Sequence, residues 1–157
     1  MPKFQFLMVA LLAGMGLMTS EVQAQNVVRI NNVTYELVPA RVGYNQADFL
    51  ARARILPGTN KRGTLAVLDT PQKQAAVIQA FGNRLNGVYV GASRVTPTGP
   101  IFWQNGKVVQ SNLWLPGEPN NFKQNEPALE FRFAGQRIGF NDISKNHINN
   151  GYLVQYP

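Results

Sequence analysis

Along this chain the apolar positions follow two rhythms: alternation at every second residue, which marks strands, and a three-four spacing, which marks helices. Val27 to Leu37 mixes Val, Ile, Tyr and Leu around Asn31-Asn32 and predicts a short N-terminal hairpin in which Tyr35, Leu37 and Val38 serve packing. Gln46 to Arg54 is rich in helix formers. Ala47, Leu50, Ala51 and Arg54 share one face of it, so this helix can lie on a sheet through small side chains. Thr64 to Leu68 reads as a short buried strand. Asp69 or Thr70 then offers an N-cap, Pro71 the first helical position, and Ala75, Ile78 and Phe81, aided by Val77, an inner face. Gly82-Asn83 stops this second helix.

Val88 to Val90 is β-like, with Gly91 placed for close packing or a bulge. Ala128 to Phe133 alternates so that Leu129, Phe131 and Phe133 share a face, and Gly135-Gln136 turns the chain back toward Ile138 and Phe140. Gly151 to Tyr156 forms a last strand able to pair with the first and so protect two edges. Between these elements, residues 102–126 carry Trp103, Trp114, Gly106, Pro116, Gly117 and Pro119. Such a stretch is a long loop, and two indoles argue that it is ordered. The pattern as a whole predicts one mixed α+β domain with two helices.

Composition changes this picture at three points. Residues 1–24 have a basic Lys3, an apolar run from Phe6 to Met18 and Val22-Gln23-Ala24 before a cleavage point, the plan of an export signal, so 25–157 is expected to be the domain of a secreted or periplasmic protein. The formal charge is +7 without a basic run, which describes a scattered solvated face and not a nucleic-acid site, although it suits contact with an anionic cell-envelope surface. There is no cysteine and a single histidine, His147 in a polar loop, so neither a histidine zinc cluster nor a cysteine nucleophile is available.

The chemistry concentrates in the long loop. Glu118 and Asn120 flank Pro119 and, two apart in extended chain, project to the same side. Glu126 and the pair Asn141-Asp142 add further oxygen donors. Carboxylate and carboxamide oxygens at short range suit Ca²⁺, and carboxylates held together without a cation would repel. The same residues, however, are ordinary builders of turns and caps. Glu118, Glu126 and Glu130 are also the carboxylates that a glycosidase reading would need.

The ordered set Trp103, Gly106, Trp114, Gly117-Glu118-Pro119-Asn120, Glu126 and Phe140-Asn141-Asp142 resembles the C-type lectin-like family. The likeness spans Tyr35 to Tyr156, with Gly63-Thr64-Leu65-Ala66 and Val88 to Gly91 at their expected places. It implies a two-helix fold with small antiparallel sheets and a long irregular binding loop. It also implies a cis Glu118-Pro119 bond and one calcium held by Glu118, Asn120, Glu126, Asn141 and Asp142, with Glu118, Asn120, Glu126 and Asn141 also contacting carbohydrate. The Glu-Pro-Asn form goes with mannose, glucose and fucose type ligands.

Departures from the family refine the expectation. Relatives often hold calcium at an auxiliary position, whose residues here are Arg94, Thr98, Asn121 and Pro127 around Glu126; arginine and proline side chains offer no oxygen. Ala51 and Val154 stand for one missing disulfide, Ala128 and Lys145 for another. The chain thus looks like a distant, cysteine-free, bacterial-type secreted member. Its partners are expected to be glycans or glycoconjugates, bound with avidity through self-association or a dense target, and no catalysis is expected. The competing reading is a calcium-independent protein-binding adhesin or structural version of the same domain.

Overall fold

The computed structural model describes residues 26–157; the expected leader lies outside them. In chain order the elements are β1 (Val27–Ile30), β2 (Val33–Val42), α1 (Tyr44–Ala53), β3 (Thr64–Leu65), α2 (Pro71–Phe81), β4 (Val88–Arg94), β5 (Ile101–Trp103), β6 (Ala128–Ala134), β7 (Arg137–Ile143) and β8 (Asn149–Tyr156). Short 3-10 turns follow α2 at Gly82–Leu85 and precede β6 at Phe122–Gln124. The strands join in one path, β1-β2-β8-β4-β6-β7, with β3 added to β8 and β5 to β4.

The N-terminal hairpin turns at Asn31, whose φ of 55° is a left-handed value that asparagine tolerates. β2 then runs well beyond the predicted hairpin and breaks register between Pro39 and Val42, where the proline cannot donate to the ladder. It pairs with β8, Thr34 opposite Tyr156, so the first and last strands close on each other as expected. The sheet is not wholly antiparallel: β4 and β8 run parallel, Val88 opposite Gly151. Parallel neighbours need a long connection, and the whole loop with the β6–β7 hairpin supplies it.

Two cores flank the sheet. One packs α2 through Val77 and Phe81 against Val90, Trp103, Leu129, Phe131, Phe140 and Leu153. The helix is rotated from the expected register: Ala75 is exposed, Ile78 half-buried, and Gln74 fully buried. Gln74 can be there because its amide donates to the Leu68 carbonyl and accepts from Ser111 Oγ. Thr70 is the N-cap, accepting from the Lys73 amide. The predicted strand is also shorter, since Ala66 to Leu68 are buried but lie outside the two-residue β3.

The other core packs Tyr44, Ala47 and Ala51 of α1 on Leu65, Tyr89, Tyr152, Val154 and Tyr156. Ala51 and Val154, which replace the expected cysteine pair, are both fully buried here. A Cβ on Gly63 would come within 2.6 Å of both the Ala51 carbonyl oxygen and Val154 Cγ1, so only glycine fits at this position beside them. Beside this core Arg54 donates to both Glu36 oxygens, at 3.0 and 2.5 Å, and Tyr156 donates its hydroxyl to the same carboxylate.

Candidate functional site: the loop between β5 and β6

Backbone pairing lays the long loop onto the sheet. The Leu115 amide donates to the Phe140 carbonyl at 3.0 Å and the Phe140 amide to the Leu113 carbonyl at 2.7 Å, so the segment runs beside β7 and covers its edge. Phe140 lies between Trp103 and Trp114, with ring centroids 6.0 and 6.1 Å away in edge contacts. At the near end Asp69 accepts from Lys73, Lys107 and Asn105, which ties the loop to the start of α2. Burial alone would raise the Asp69 pKa; those three donors outweigh it and hold the carboxyl well below the usual range. Main-chain pairing and the Asp69 contacts thus add to what the two indoles contribute to ordering this region.

Glu118-Pro119 is cis. Glu118 and Asn120 project together, Asn120 Nδ2 donating to Glu118 Oε1 at 2.8 Å and the Asn120 amide to Oε2 at 2.9 Å. Asp142, on β7 and fully buried, accepts from the main-chain amides of Asn120 and Asn121, each at 3.0 Å, and from the Arg94 guanidinium. Glu126 joins through the Phe122 amide, which donates both to Glu126 Oε2 at 2.7 Å and to Asn120 Oδ1 at 2.8 Å. Four of the five expected residues therefore share one network.

Asn141 is held differently. Neighbours on a strand point to opposite faces, and Asn141 pairs across the sheet with Glu130 while Asp142 pairs with Leu129. Its amide nitrogen donates to Glu130 Oε1 at 2.8 Å, which leaves its oxygen as the atom able to coordinate. Glu130 is fully buried and also accepts from Arg132, so it is shut away from any glycosidase role. His147 is exposed; its backbone carbonyl accepts from the Tyr89 hydroxyl at 2.8 Å.

The electrostatics of the network are lopsided. Glu118, Glu126 and Asp142 bring three negative charges and Arg94 one positive, a surplus of two. Burial, then the adjoining Asp142 carboxyl, pushes the Glu118 pKa up against the hydrogen bonds from Asn120. Burial also raises Glu126, with the Asp142 and Glu130 charges adding to it and the Phe122 amide and Arg94 opposing. Among the described residues no three His, Cys, Asp or Glu side chains make a metal-ligating group by themselves. Hard oxygens and surplus negative charge are the chemistry that Ca²⁺ prefers, and the Asn120 and Asn141 oxygens would have to complete the set, since both Asp142 oxygens already accept from amides or Arg94.

The sequence matches no family model and no curated protein. Solved structures do resemble it. The C-type lectin CEL-I from Cucumaria echinata superimposes with a TM-score of 0.69 at 18% identity, covering 84% of this chain and 95% of its own. This chain has the C-type lectin-like fold. The cow C-type carbohydrate-recognition domain of CD23, solved in the presence of a GlcNAc2Man3 oligosaccharide, gives 0.67 at 18% identity over 83% and 92%. Herring type II antifreeze protein gives 0.64 at 14% over 84% and 96%. At such identities the likeness is one of fold, and function rests on the side chains.

Two features of the site were out of reach of sequence reasoning. Arg94 was notable only as a residue unable to ligate metal, and its pairing with Asp142 spans 48 positions. Glu130 as the partner of Asn141 follows from strand register alone. An excess of carboxylates around one arginine at an auxiliary-ligand position was the available signal for the first.

Proposed function

We propose that this domain is a calcium-dependent carbohydrate-binding module that takes mannose, glucose or fucose type ligands through vicinal hydroxyls. One observation carries the reading: Glu118, Asn120, Glu126 and Asp142 form a single network with two uncompensated negative charges. Glu118, Asn120, Glu126, Asn141 and Asp142 would hold the ion. Bound calcium supplies open coordination positions to a pair of adjacent sugar hydroxyls. Glu118 and Glu126 accept from those hydroxyls and the Asn120 NH₂ donates, as would the second hydrogen of the Asn141 NH₂ beside its bond to Glu130, so the order of acceptor and donor reads the sugar's stereochemistry. Asn120 must first release Glu118, to which it is bonded at 2.8 Å. A site this shallow binds weakly alone, which calls for several copies or a dense glycan target outside the cytoplasm.

One observation favours a second reading, a calcium-independent protein-binding role. Phe122 and Val95 expose apolar surface at this end of the molecule, 62% and 88% accessible. Exchange of the two ligands across the proline decides between them. Glu118→Gln with Asn120→Asp keeps size and charge but moves the acceptor, so calcium binding is expected to persist while preference passes from mannose-type to galactose-type sugars. Unchanged binding to an unglycosylated partner, with no sugar response in either form, would favour the second reading.

A further inference from the structure

Arg94 and Asp142 form the only ion pair among the described residues in which both side chains are nearly inaccessible, 8% and 0% exposed. A buried arginine needs all its donors met, and this one is well served. Besides Asp142 it donates from Nε to the Glu126 carbonyl at 3.1 Å and from Nη1 to the Gly99 carbonyl at 3.0 Å. The Arg94 main-chain amide donates to the Pro127 carbonyl at 2.7 Å. The residue thus ties three segments together: the turn before β5, the end of the binding loop, and β7 through Asp142. Asp142 in turn holds the Asn120 and Asn121 amides.

The surroundings of the guanidinium are also informative. A hollow of ≈ 250 Å³ lies beside it, lined by Arg94 and Lys145 together with Asn121, Pro127 and other uncharged residues, and by no carboxylate. Two cations and no anion make that hollow hostile to a metal ion. Meanwhile the segment it borders adopts left-handed φ at Asn121, Lys123 and Gln124, 46°, 54° and 55°, a range that asparagine tolerates but that is uncommon for lysine and glutamine.

We infer that Arg94 is a built-in cation that fixes the ligand-bearing loop without metal, so that the domain takes one divalent ion and not two. The single-ion half rests on the function proposed above; the ordering half does not. Arg94 is in this account a positioning residue: it acts through Asp142 and the Glu126 carbonyl and would touch neither the ion nor the sugar.

The test uses calcium itself and a protease, with no sugar. Lys123 is exposed in the loop and gives trypsin a site to report opening. In excess chelator the wild-type loop is expected to resist cleavage after Lys123, and Arg94→Gln, which keeps hydrogen bonding but loses the charge, to be cut about tenfold faster. Arg94→Lys, which restores charge, is expected to recover much of the protection, something a purely steric role would not give. Equilibrium dialysis with calcium is expected to return one ion per wild-type chain. Two ions per chain, a wild-type loop cut in chelator as fast as an unfolded peptide, or Gln and Lys variants that behave alike would each overturn the inference. If Arg94→Gln fails to fold, the wild-type cleavage and ion count still decide it. No bound ion together with a protected wild-type loop would sink the calcium reading while supporting the arginine's ordering role.

Discussion

The Leu113 carbonyl oxygen lies 2.2 Å from the place a Cβ on Gly139 would occupy. The nearest atom there is main chain, which cannot yield as the Leu115 side chain 2.9 Å away could, and it lies at the point where the binding loop docks on β7. Gly139→Ala is therefore expected to lower stability by about 1–3 kcal/mol and to loosen the loop ahead of the rest of the molecule. Thermal melting combined with limited proteolysis checks this. An unchanged Tm with no new cleavage between 113 and 126 would show that the docking is not tight.

Asp69 gives a pH dependence with a definite sign. Its folded pKa lies below the ordinary carboxylate value of about 3.9, so its contribution is complete above that value and fades as pH falls through the depressed one. Lys73 and Lys107 are 38% and 65% exposed, which limits the effect to about 1 kcal/mol. Asp69→Asn is expected to remove this amount at neutral pH and to narrow its difference from wild type in acid. A difference that widened as pH fell would contradict the assignment.

Much of the fold was legible because local rules and tertiary demands agree. The Asn31 turn, the Thr70-Pro71 helix start, the Gly82 stop and the Leu129-Phe131-Phe133 face all depend on near neighbours. What was missed depends on distant ones. Gln74 displaces Ala75 from the inner face of α2 only because Leu68 and Ser111 meet its amide. The parallel pairing of β4 with β8 has no signature in either strand alone. Glu118 and Asn120 could be paired from their spacing, whereas burial of Asp142 by Arg94 could not.

The missing disulfide offers a further test. Ala51 and Val154 are both fully buried in one cluster, at the positions where the resemblance implies a cysteine pair. Ala51→Cys with Val154→Cys is expected to oxidise to a bridge across a long segment and to stabilise the fold by about 2–4 kcal/mol. Thiol titration in denaturant, with Tm before and after reduction, reads the outcome. Two free thiols after oxidation would mean that the backbone here has moved away from the geometry that a bridge needs.

Removal of one ligand should separate the site from the scaffold. Asp142→Ala takes away a proposed metal ligand and strands Arg94 as a buried charge, so calcium binding is expected to be lost and stability to fall by about 3–5 kcal/mol. Asn141→Ala leaves the Arg94 pair intact and leaves the buried Glu130 to Arg132, so it is expected to weaken calcium binding with a smaller loss of Tm. Equal destabilisation by the two substitutions, measured by denaturant titration, would contradict the separate roles assigned to neighbouring residues on β7.

The central claim is that the Glu118-Asn120-Glu126-Asp142 network binds sugar through calcium. A broad glycan array probed with residues 25–157, clustered to supply avidity, tests it most directly when run with calcium and again with chelator. The account predicts signal on mannose, glucose or fucose type glycans that chelator abolishes. No calcium-dependent signal on any glycan would contradict it.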